Sequence, residues 1–229
     1  MRLFFVYVLL LIINIGKVYG EPLPFQQAVF KHDISNSVVY ERYPRFINNG
    51  IFNKEVQVVN KRVKNYANGL LERFLKGDDI GKSVKKSVLS SKEKGSFDVK
   101  YKIIRADKKY VSVRFDTYFY QKEALHGVLY YYGFNYDFKD SRVLKLADLF
   151  DPGTNYLKQI LEFCKSKLNK QLGKEWYTIT KADLSQFTFD QHNLTIHFNT
   201  YQLGSYAFGA LEVKIPFKKL VGLKKEFSV

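Results

Sequence analysis

Toward its end the chain reads Phe198-Asn-Thr-Tyr201-Gln-Leu-Gly204-Ser-Tyr206-Ala-Phe208-Gly209, followed by Ala-Leu211-Glu-Val213-Lys-Ile215-Pro216. This stretch restricts the fold more than any other. It describes a strand entering a glycine-punctuated turn, then a second, alternating strand that stops at Pro216, whose ring cannot extend a ladder. An aromatic turn of this kind needs a sheet to carry it.

Upstream segments supply that sheet. Phe97 to Ile104 alternates, Asp107-Lys108-Lys109 turns, and Tyr110 to Tyr120 alternates again. Val111, Val113, Phe115 and Phe119 fall on one side and Ser112, Arg114 and Asp116 on the other, which predicts a hairpin with one wet face. After a turn at Gln121 to Ala124, a long strand is expected over His126 to Phe138. Gly127 and Gly133 share its second face and mark a bulge or the close approach of another backbone. Phe187 to Asp190, Asn193 to Asn199 and Ala210 to Pro216 read as the last strands, with a tight turn at Gln191-His192. Earlier, Glu21 to His32 reads as an extended lead-in, Asn36 to Tyr43 as a strand ended by Pro44, and Arg45 to Gly50 as a turn.

Two helices stand between these strands. Phe52, Val56, Val59, Val63, Tyr66, Leu70 and Phe74 step by three and four and so share one face. Asn53 is the expected N-cap of this helix and Gly77 its stop, with Asp78 to Gly95 a polar connector beyond. A second helix is expected after Asp148 to Gly153, with Asp151 as cap and Pro152 in the first turn, ending at Gly173. Leu157, Ile160, Leu161, Cys164 and Leu168 form its apolar stripe. The residues around Trp176 define no element. The fold class that follows is α+β, a largely antiparallel sheet packed against two amphipathic helices in two interlocked halves. Residues 21–125 would make an N-terminal half of strand, long helix and hairpin, and residues 126–229 a C-terminal half.

Residues 1–20 have the layout of a secretory signal peptide. Arg2 precedes an apolar run from Leu3 to Ile15, and Val18-Tyr-Gly20 offers a cleavage site after Gly20. About a dozen apolar residues are short for a bilayer span, and an uncleaved anchor is the competing reading. The expected location is therefore periplasmic or secreted, with no transmembrane span after cleavage. The single Cys164 excludes an internal disulfide and reads as a buried, inert thiol.

The formal charge is +15, and losing Arg2 and Lys17 lowers it by two. Such a field attracts anionic envelope polymers. The cations are 29 Lys and 8 Arg. Arginine would serve bidentate phosphate or base recognition better, so nucleic acid is not expected as a partner.

Three groups of residues carry a resemblance. The first is Tyr40-x-x-Tyr43-Pro44-Arg-Phe46 with the Asn60-bearing helix. The second is Tyr120 with Ala124-Leu-His126-Gly127, then Asn135-Tyr-Asp137-Phe and Leu144-x-Leu146-x-Asp148-Leu-Phe. The third joins Phe187-Thr-Phe and Leu194-Thr-Ile-x-Phe198-Asn-x-Tyr201 to Tyr206-Ala-x-Gly209 and Val213-x-Ile215-Pro216. In their order and spacing they resemble the RsiV-like extracellular domain family (domain of unknown function 3298 with its companion N-terminal half). That family forms the outer part of lysozyme-sensing anti-sigma factors and a non-catalytic N-terminal module of some peptidoglycan deacetylases. Glu123-Ala124-Leu125 departs from the family's glycine-rich approach to the histidine. Only Met1 and Arg2 precede the apolar run and no deacetylase domain follows, so neither an anti-sigma role nor deacetylation is expected.

The resemblance implies a non-catalytic binding module for a lysozyme-like protein or a cell-wall glycan. Animal lysozymes are basic, and two cationic surfaces repel. A binder of anionic polymers through a lysine-rich surface is the alternative, and a wall-glycan hydrolase using Asp137 or Asp148 the third reading. The histidines, His32, His126, His192 and His197, have no zinc-site spacing, so neither a metal nor a cofactor is expected. Asp151 reads as a cap and Asp148 as a turn residue. Tyr201, Tyr206, Phe208 and Gly209 are the binding candidates, because aromatics on a glycine-shaped turn offer rigid contact area at low entropic cost. His126, at the mouth of the long strand, and Tyr120 join them as ligand-binding candidates.

Overall fold

The structure, a computed structural model, describes residues 23–34, 37–47, 53–76, 95–120, 124–173 and 178–227. The expected signal peptide, Asn48-Asn49-Gly50, the Gly77 stop, the connector up to residue 94, Gln121 to Glu123 and Trp176 lie outside the described residues. The fold is α+β, with two helices and a large, mostly antiparallel sheet. The larger sheet has the strand order β1 (Phe25–Ile34), β2 (Ser37–Phe46), β3 (Gly95–Ala106), β4 (Tyr110–Tyr120), β5 (Val128–Asp137), β6 (Arg142–Val143). The chain divides into two compact units, Met1–Lys102 with Phe115–Val128, and Ile103–Arg114 with Leu129–Val229.

In the first unit β1 and β2 pair antiparallel from Phe25↔Phe46 to Ile34↔Ser37. The expected lead-in is thus a full strand. Pro44 does not end β2, because the parallel pairing with β3 stops at Glu41↔Val99 and the missing N–H falls beyond it. A parallel pair needs a long crossover. Helix α1 (Asn53–Lys76) lies within that connection. Its face of Val56, Val59, Val63, Ala67, Leu70 and Phe74 is buried, and the helix packs on β2. The three valines, Leu70 and Phe74 each contribute roughly 1.5–3 kcal/mol by leaving water, and Ala67 less. Phe74 stacks on Phe97 at 4.4 Å between ring centres and meets Phe119 at 4.8 Å. Asn60 joins helix to strand, accepting from the Phe46 N–H at 2.8 Å and donating to the Phe46 carbonyl at 2.9 Å.

In the second unit a separate three-stranded antiparallel sheet, β7 (Phe187–Phe189), β8 (Asn193–Phe198) and β9 (Leu211–Pro216), packs against helix α2 (Tyr156–Leu172). Ile160, Cys164 and Leu168 enter a core with Phe189, Ile196, Phe198 and Ile215. Gly173 ends α2 with φ 84°. Asp151 is not its cap. Asn155 occupies that position, and the Asp151 N–H instead donates to the Gly222 carbonyl at 2.8 Å.

The hairpin's second face is not uniformly wet either. Ser112 is fully buried, accepting from the Phe189 N–H at 3.0 Å and donating to Asn135 Oδ1 at 2.7 Å. The amide of Asn135 continues to the Phe187 carbonyl at 2.8 Å. A hydroxyl that reads as solvent-facing is therefore one link of a buried polar chain between β4, β5 and β7.

Candidate ligand-binding surface

The turn between β8 and β9 is built from side chains that support backbone. Asn199 accepts from the Tyr131 N–H at 2.7 Å, and its own N–H donates to Gln202 Oε1 at 2.8 Å. Gln202 reaches on to Asp183, donating to Oδ1 at 3.1 Å. The Thr200 hydroxyl donates to the Leu129 carbonyl at 2.7 Å. Leu203 is buried beneath the turn.

This frame holds Tyr201 at φ 69°, a left-handed conformation that side-chain-bearing residues seldom adopt. Gly204, at φ 145°, lies under Phe208, whose ring edge would be 2.7 Å from an added Cβ. A short 3-10 turn, Tyr206–Phe208, follows, and Gly209 at φ 65° donates its N–H to the Tyr206 carbonyl at 2.9 Å. The result is an outward pair. Tyr201 is 51% exposed and Tyr206 39%, with ring centres 5.7 Å apart and planes tilted by 43°. Of the four turn residues singled out in the sequence, Tyr201 and Tyr206 present rings to solvent, while Phe208 and Gly209 shape the turn.

Tyr120 and His126 belong to the other unit. Both are half-buried, Tyr120 at the end of β4 and His126 just before β5.

The carboxylates weighed as catalysts are engaged otherwise. Asp137 is buried and its Oδ1 accepts from the N–H groups of Lys139 at 2.8 Å and Asp140 at 3.4 Å. Asp148 accepts from Arg142 at 2.8 Å and from the Lys145 N–H at 2.6 Å. Burial pushes the Asp148 carboxyl up, but Arg142 and the Lys145 N–H outweigh it and hold the group below the usual carboxylate range. A general acid needs the opposite shift. Burial pushes the Cys164 thiol up to about 12, which keeps it protonated. Among the described residues no group of three or more His, Cys, Asp or Glu is placed to hold a metal ion.

One cluster escaped the sequence reading. Arg114 lies over the Tyr131 ring at 4.2 Å and donates to Glu212 at 2.6 Å. Buried His197 pairs across strands with Glu212 and meets the Thr188 hydroxyl through Nε2 at 2.9 Å. The register of β8 and β9 is the signal that could have found it, since it places His197 opposite Glu212.

With this geometry in place, comparison with known proteins locates the turn within a family segment. Residues 147–218 match the family described as protein of unknown function DUF3298. The matched segment contains α2, the three-stranded sheet and the whole Tyr201–Gly209 turn, whereas Tyr120 and His126 precede it. Over 142 residues, 58% of its length, the chain is 28% identical to the peptidoglycan-N-acetylmuramic acid deacetylase PdaC of Bacillus subtilis (strain 168). It spans 30% of that relative. A crystal structure of a DUF3298 family protein from Pseudomonas aeruginosa PAO1 superposes with a TM-score of 0.66 at 18% identity, covering 91% of this chain and 97% of that one. A DUF3298 member from Bacteroides fragilis NCTC 9343 gives 0.51 at 16% identity, covering 86% and 92%. These two likenesses are of fold.

Proposed function

We propose that this protein is a secreted or periplasmic, non-catalytic binding module of the bacterial envelope, with the Tyr201–Gly209 turn as its contact surface and cell-wall glycan as its ligand. The observation that carries the reading is the Tyr201–Tyr206 pair. Two exposed rings held by a hydrogen-bonded backbone lose little freedom on binding and suit the flat faces of sugar rings. The similarity to a peptidoglycan deacetylase supports the wall as the setting. Lysozyme is the second reading, favoured by the resemblance of the Phe198–Gly209 stretch to lysozyme-sensing domains and opposed by the charge on both proteins.

The test is titration with soluble peptidoglycan fragments and, separately, with a c-type lysozyme, each at low and physiological salt. Glycan binding that survives salt and is lost in Tyr201→Ala supports the proposal. Salt-resistant lysozyme binding with inhibition of its activity would transfer the turn to the second reading. Failure of both ligands to bind would overturn the assignment of the turn.

A further inference from the structure

The first unit contains a cavity of about 340 Å3 between the β1–β2 hairpin and α1. That volume is at the lower end of those that hold small ligands. The β1–β2 register sets Ala28 opposite Tyr43 and Gln26 opposite Arg45. Phe30 stacks on Tyr43 with ring centres 5.5 Å apart and planes within 11°, and the pair forms the aromatic side of the cavity. From α1, Lys61 and Lys64 lie three residues apart on one side of the helix, with Lys64 Nζ 5.8 Å from the centre of the Phe30 ring.

The polar groups here are only partly engaged. Asn60 is committed to the Phe46 backbone at both ends. The side-chain amide of Gln26, on the same strand face as Tyr43 and Arg45, has no hydrogen-bond partner among the described residues, and Arg45 and Lys61 form no ion pair among them. Among the described residues no carboxylate lines the cavity. The adjacent acid, Glu41, has its carboxyl pushed up to about 7 by burial, so at neutral pH it only partly offsets Lys64. An aromatic side, one available amide and three cations together match a ring that carries hydroxyls and one negative charge.

We infer that this cavity binds an anionic monosaccharide, its ring against the Phe30–Tyr43 stack, a hydroxyl on Gln26, and its acidic group facing Arg45, Lys61 and Lys64. The site uses no residue of the Tyr201–Gly209 turn and stands or falls independently of it.

Calorimetric titration of the full chain tests this with six probes. Glucuronate, N-acetylmuramate and glucose 6-phosphate carry ring and charge. Glucose and N-acetylglucosamine have the ring alone, and inorganic phosphate the charge alone. At least one of the charged sugars binds about tenfold or more tightly than its uncharged counterpart and than phosphate, and the preference for carboxylate or phosphate identifies the acid. Lys64→Gln and Arg45→Gln each weaken that binding about tenfold, as loss of a charge-assisted contact requires. Equal affinity for charged and uncharged sugars, phosphate alone matching the sugars, no charged sugar bound at roughly 10 mM, or undiminished affinity in both cation variants overturns the inference.

Discussion

Gly133 in β5 lies against the backbone of Phe187 in β7 so closely that a Cβ at position 133 would stand 1.9 Å from the Phe187 carbonyl oxygen. Gly127 also faces a near neighbour, but there the obstacle is the Tyr118 hydroxyl at 2.1 Å, at the far end of a 41% exposed side chain. A backbone carbonyl in a strand cannot swing away, and an exposed tyrosine can. Gly133→Ala should therefore lose about 3 kcal/mol or more, a fall in Tm of roughly 10 °C, and Gly127→Ala distinctly less. Thermal melts of the two variants side by side check this, and equal losses would contradict it.

Ser112→Ala removes the acceptor of the Phe189 N–H and the donor to Asn135 inside a dry layer. A buried donor left without a partner costs about 1–3 kcal/mol. Urea unfolding should show a lower midpoint at an unchanged slope, because the surface exposed on unfolding stays the same. Asp116→Ala, on the same side of β4 but half-exposed, provides the comparison and should shift the midpoint less.

Glu41 gives stability a pH dependence of defined sign. Burial pushes its carboxyl from 4.5 to about 7, and attraction to Lys64 reverses only part of that shift. The folded state thus holds the proton more tightly than the unfolded chain. The resulting stability is complete below about pH 4.5 and is lost as the pH rises through 7. Glu41→Gln should flatten the profile in this window and, at roughly pH 8, exceed the parent by up to about 3 kcal/mol. A profile unchanged by the substitution would show that other groups set it.

Tyr201 separates binding from folding. Its left-handed backbone suits glycine, so Tyr201→Gly relieves a local strain of about 1–2 kcal/mol while deleting an exposed ring. The variant should melt no lower than the parent yet lose glycan binding. A lower melting temperature would mean that the ring supports the sheet, and retained binding that it does not touch the ligand.

What could be read from the sequence followed periodicity. The α1 stripe, the hairpin, the last three strands, the Gly173 stop and the buried Cys164 all leave regular local patterns; Gly127 and Gly133 together point to a bulge or a backbone approach, and Gly133 has a backbone beside it whereas Gly127 faces the Tyr118 side chain. What escaped depends on partners distant in sequence. Ser112 resembles any outward serine until β7 covers it. Pro44 looks like a strand terminator unless the extent of pairing with β3 is known. Asp151 sits where a cap is expected, but Asn155 opens the helix. Tyr201 and Tyr206 could be named from the turn they occupy, whereas Gln26, Arg45 and Lys64 come together only through strand register and helix position, which no local motif records.

The β3–β4 hairpin belongs to neither unit alone. Residues 103–114, its turn and the flanking strand ends, are part of the second unit although they are inserted in the sequence of the first. No single cut can divide this chain into two intact pieces, and a break at 125/126 would strip the second unit of Ile103–Arg114. Either unit prepared alone must therefore be built by rejoining separated stretches of the chain.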